Sequence, residues 1–63
     1  MTLIELHVRA SGKRVSYAAS AITVVADMTL PGAPKYAEIR VDGLLVDVME
    51  SYDEVVGKLR AAQ

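Results

Sequence analysis

A chain of 63 residues with seven Lys and Arg against eight Asp and Glu carries a net charge of −1, a balance that argues against the basic face a general nucleic-acid binder needs. With no cysteine and one histidine, a disulfide framework and thiolate metal sites are excluded, and a structural zinc centre lacks ligands. A domain of this size buries only about 60% of its extended surface, so association with itself or with a partner is the supplement left to stabilise it.

The length fits one domain, residues 1–63. "LIELHVR" (3–9) alternates, with Ile4, Leu6 and Val8 on one face and Glu5, His7 and Arg9 on the other, which predicts a half-buried strand. "ASG" (10–12) is a turn signal. "KRVSY" (13–17) returns antiparallel with Val15 and Tyr17 inward, and the small "AASA" (18–21) suits a bend, a bulge or one helical turn. "ITVVADM" (22–28) is β-branched and puts Ile22, Val24, Ala26 and Met28 on one expected face. "TLPGAPK" (29–35) holds both prolines and reads as the longest loop.

"YAEIRV" (36–41) and "LLVDVM" (44–49) then flank Asp42-Gly43. Asp-Gly between alternating runs predicts a hairpin, because a type I′ turn needs positive φ at both central residues. The implied register pairs Val41 with Leu44 and Ile39 with Val46 inside. Outside, it sets Arg40 against Leu45, Glu38 against Asp47 and Tyr36 against Met49.

After Ser51 the hydrophobic period changes. Ser51 and Glu54 make an S-x-x-E capping box, in which the Ser51 hydroxyl takes an orphan amide and Glu54 reaches back to the Ser51 N–H. Asp53 and Glu54 then sit at the positive end of the helix dipole, and Lys58 and Arg60 at the negative end. Tyr52, Val55, Val56 and Leu59 share a stripe expected to cover the sheet. Gly57 costs the helix about 1 kcal/mol relative to Ala, so packing is its main support. The reading is an α+β, β-rich domain: five short antiparallel strands, as a bent sheet or a small barrel, capped by one C-terminal helix.

Few residues point to chemistry. His7 alone titrates near neutral pH, but its place on the polar face of a strand favours solvated surface over a general base. No serine has a nucleophile-elbow context. "SGKR" (11–14) lacks the upstream glycine and following helix of a phosphate loop. Arg9, Lys13 and Arg14 nevertheless gather around that turn, a candidate anion contact. The outer face of the hairpin is the candidate interface: Tyr36, Glu38, Arg40, Leu45, Asp47 and Met49. Opposed Glu38 and Asp47 repel unless a cation sits between them, supplied by Arg40 or by a second chain.

"IELHVRASGKRVSYAASAITVV" followed by "AEIRVDGLLVDVMESYDEVVGKL" resembles the FlbD-like family of small bacterial flagellar proteins, a pattern that small phage proteins share. Ile4, Leu6, Gly12, Lys13, Ala19, Ile22, Val25, Gly43, Val48, Glu50, Ser51, Glu54 and Val55 match its pattern. Ala18 replaces the family's Asn, and the "TLPGAP" loop is longer. The resemblance implies a non-enzymatic accessory protein without catalytic residues. The expected function is a non-catalytic interaction module that forms a homo-oligomer and modulates a larger protein, with no cofactor and no metal. The alternatives are an oligomeric binder that sequesters an anionic small molecule or nucleotide, and a phage-encoded inhibitor of a host enzyme or defence complex. No apolar run approaches the roughly 20 residues of a membrane span, and "MTLIELHVRAS" lacks signal-peptide character. A cytoplasmic location is expected.

Overall fold

The computed structural model describes all of residues 1–63. Five strands and one helix follow the alternation of the sequence: β1 (Leu3–His7), β2 (Arg14–Ala18), β3 (Ile22–Asp27), β4 (Ala37–Val41), β5 (Leu44–Val48) and α1 (Tyr52–Ala61), with a 3-10 turn at Ala19–Ala21. β1 and β2 form one antiparallel sheet, and β3, β4 and β5 a second in the order β3-β4-β5. A single antiparallel bridge, Val8 to Val48, joins β1 to β5. It is flanked by two backbone bonds, Arg9 N–H to Asp47 C=O (2.8 Å) and Met49 N–H to His7 C=O (2.8 Å). The result is two antiparallel sheets joined at one bridge, and not a closed barrel.

The β4–β5 hairpin has the register read from the sequence, from Val41 opposite Leu44 to Glu38 opposite Asp47 and Ala37 opposite Val48. Asp42 and Gly43 have φ of 50° and 81°, the left-handed values of a type I′ turn. Ile39 and Val48 are fully buried with Leu6, Val55, Ile4 and Ala37 in one cluster, which α1 covers from across β1, β3 and β4. Leu44, expected inside, is instead 71% exposed. The helix lies over β1, β3 and β4, so the hairpin end carrying Leu44 extends past its cover.

Two further expectations are corrected. Ile22 pairs with Val41 but Val24 pairs with Arg40, so Thr23 is an extra residue in β3. That bulge shifts the phase of alternation: Val25, not Val24, packs on the core, and Val24 turns out to solvent. In α1 the buried stripe is Val55 with Leu59 and Ala62 beside it, whereas Tyr52 is exposed. Ser51 caps the helix as expected, its Oγ accepting the Glu54 N–H (3.3 Å). The reciprocal half of the box differs: the Ser51 hydroxyl donates to Glu54 Oε1 (3.3 Å), and Glu54 does not reach the Ser51 amide. The core is small. Only eight of the 63 residues are buried, the marginal interior expected of a short chain with no cross-link.

Candidate functional site

Alternation along β3, β4 and β5 leaves one side of the three-stranded sheet uncovered by the helix. The pairings arrange it in two rows. Val24, Arg40 and Leu45 form one, and Ala26, Glu38 and Asp47 the other. Val24 and Leu45 are 47% and 60% exposed. The second row extends to β1, because Arg9 stands opposite Asp47 across the bridge. The sequence-predicted interface residues Glu38, Arg40, Leu45 and Asp47 are therefore together on one face.

Tyr36 departs from that expectation. It is 8% exposed, and the Arg9 guanidinium lies 4.0 Å from its ring centroid, a cation–π stack. Tyr36 is thus a platform beneath Arg9. Met49 remains exposed at the rim of the same hollow, with Pro34 and Lys35. The predicted anion cluster is also divided. Arg9 leaves the turn for Tyr36, and Arg14 points to Glu5, with Nε 3.8 Å from Oε2. Lys13 stays at the turn, where its backbone is held by Val8 and Ser11.

The ion pairs of the chain are His7 with Glu50 and Arg14 with Glu5. Neither Arg40 nor Arg9 pairs with Glu38 or Asp47, so the cation expected between these carboxylates is not supplied by Arg40 within the chain. Asp47 Oδ1 is buried without a hydrogen-bond partner. The Asp47 side chain beside Glu38 raises the Glu38 pKa above the ordinary 4.5, first by favouring hydrogen bonding of the protonated form, then through desolvation and the Asp47 charge.

A second constellation was missed by sequence reasoning. Glu50 is a buried acid, 8% exposed. Its Oε1 accepts the His7 backbone N–H at 2.9 Å, and its Oε2 lies 2.7 Å from His7 Nδ1. Where the β1–β5 pairing stops, the Glu50 carboxylate takes the place of the next strand carbonyl. His7 is therefore pinned and half-exposed instead of free on a solvated face. Burial is the largest influence on Glu50 and opposes its ionisation, but the His7 ring and backbone bonds together outweigh it and hold the carboxyl below the ordinary 4.5. One signal pointed here. Val46, Val48 and Glu50 share the core parity of β5, and an acid on a core parity needs a partner.

The hollow beside this pair, about 460 Å³, is lined by His7, Gly12, Met49, Glu50 and Glu54. It presents carboxylates and an imidazole, with no hydroxyl, thiol or amine among its lining side chains. No three His, Cys, Asp or Glu side chains converge in a way that would hold a metal ion, and no helix is long and apolar enough to cross a membrane. Comparison with protein-family models, with curated proteins and with solved structures gives no match.

Proposed function

We propose that this protein is a non-catalytic interaction module that self-associates through the uncovered face of the β3-β4-β5 sheet and, as an assembly, modulates a larger protein. What supports the reading is one combination on that face: exposed Val24 and Leu45 beside a carboxylate pair without a cation, and an Arg40 without a carboxylate. These features complement each other. In a two-fold dimer the same patch meets itself, so Arg40 of one copy falls to Glu38 and Asp47 of the other while the apolar residues close around them. An interfacial cation would let both carboxylates ionise and would satisfy Asp47 Oδ1. The small core favours the same outcome, since association buries apolar surface that a monomer of this size leaves wet. Membership of the FlbD-like family, a cytoplasmic location and a protein target belong to the same proposal.

Sedimentation velocity and native mass spectrometry test it. The expected result is a dimer or higher oligomer at micromolar concentration, weakened by Arg40→Glu and restored when Arg40→Glu is mixed with a chain carrying Glu38→Lys and Asp47→Lys. A stable monomer at high micromolar concentration removes the proposal.

A further inference from the structure

We propose that the hollow between Arg9, Pro34, Lys35, Tyr36 and Met49 is a binding site for a phosphomonoester group. The cavity is about 300 Å³, large enough for a phosphate with a small organic body. Its charge is the first argument. Two cations line it and no Asp or Glu does, in a chain whose net charge is −1. Neither cation is spent elsewhere: the ion pairs of the chain engage His7 and Arg14 only, and Lys58, not Lys35, bonds a backbone carbonyl.

Preorganisation is the second argument. An arginine side chain on a loop normally loses much rotamer freedom when it captures an anion. Arg9 is already placed, its guanidinium carbon over the ring of Tyr36 at 4.0 Å from the centroid and its backbone N–H fastened to the Asp47 carbonyl at 2.8 Å. Tyr36 is itself buried, so the platform does not move with the surface. No ion pair of the chain engages the Arg9 guanidinium, so its N–H groups, which match phosphate oxygens in pairs, are free to donate. Lys35 precedes Tyr36 directly, and Pro34 restricts the backbone before it.

The donor set selects the ligand. Arginine alone satisfies a carboxylate through two parallel hydrogen bonds; a second, point-charge lysine on the same rim complements the additional charge and third oxygen of a phosphomonoester. Met49, 55% exposed, and Pro34 supply an apolar wall for whatever carries the phosphate. Glu38 and Asp47 lie in the same outer row as Arg9, outside the lining of the hollow, and oppose any anion, which sets the affinity at a modest level. The phosphate has two possible bearers, a free small molecule and a phosphorylated side chain of a partner protein.

Amide NMR titration of the intact chain with phenyl phosphate, a phosphoserine hexapeptide and benzoate decides it. Phenyl phosphate is expected to shift the amides of Arg9, Lys35, Tyr36 and Met49 saturably, while benzoate binds about tenfold more weakly. Lys35→Gln, an exposed position with no structural contact, should weaken phenyl phosphate about tenfold, the cost of one charge-assisted bond. Arg9→Gln should do so at least as strongly, with its melt recorded to separate lost binding from lost fold. Tighter binding of the peptide assigns the group to a partner protein, and tighter binding of phenyl phosphate assigns it to a small molecule. No saturable shift, equal affinity for benzoate, or unchanged affinity in Lys35→Gln overturns the site.

Discussion

The C-terminal half of β5 and the residues just after it carry two acids with opposite fates. Asp47 faces outward and meets another acid, Glu38, across the hairpin; Glu50 turns inward and meets His7 from β1. The nearly buried Glu50 is held below its ordinary pKa, while Glu38, on the outer surface, is raised above it. Burial alone would order them the other way. What decides is the partner: bonds and charge, chiefly from His7, outweigh desolvation at Glu50, whereas a carboxylate neighbour favours the protonated form of Glu38. The buried acid strengthens the monomer. The outer one leaves a repulsion within it, and the proposed interface is placed there for that reason.

Removing the inner site should have the largest effect. Glu50→Ala leaves the His7 N–H without its acceptor and is expected to cost about 2 kcal/mol, measured by chemical denaturation. His7→Ala should cost less, because Glu50 Oε1 still receives the backbone N–H at position 7. Equal losses from the two would mean that the ring, and not the backbone bond, carries the interaction. Next in size is Ser51→Ala, one residue beyond Glu50, at about 1 kcal/mol for the lost cap. No change there would show that α1 starts elsewhere.

At the outer site Asp47→Asn gives a smaller effect whose sign is informative. In a monomer it removes repulsion and raises the melting temperature. In the proposed dimer it deprives the partner's cation of half its compensation and weakens assembly. Melting temperature and oligomer size must therefore be measured together. A more stable protein of unchanged size returns this face to solvated surface.

The smallest difference concerns pH, and the two acids act in opposite directions. Glu50 has a lowered folded pKa, so its stabilisation is complete above 4.5 and is lost as pH falls through the folded value. Glu38 has a raised folded pKa, so its penalty is absent below 4.5 and grows as pH rises from there through the folded value. Glu50→Gln should flatten the acid limb of a stability–pH curve and Glu38→Gln the limb above it. If Glu38→Gln leaves that limb unchanged, Asp47 does not raise the pKa of Glu38.

The sequence by itself determined whatever depends on neighbours along the chain. Asp42-Gly43 set the hairpin and its register because positive φ is demanded of two adjacent residues, and register then placed Glu38 against Asp47. Ser51 set the start of α1 because its hydroxyl acts three residues away, and alternation marked β1, β2, β4 and β5 because the pleat has a period of two. Tertiary structure alone decided the rest. His7 and Glu50 are 43 residues apart, and no local rule says that β1 will run beside the end of β5. The bulge at Thr23 shifted the inward phase of β3 beyond Ile22, so that Val25, opposite Ile39, meets the core. Arg9 left its basic neighbours for Tyr36 because the Val8–Val48 bridge carries it onto the outer face of the second sheet. Period and turn chemistry are short-range and so are written in the sequence; which strand edge meets which is settled by burying a shared core, and that requires the whole chain.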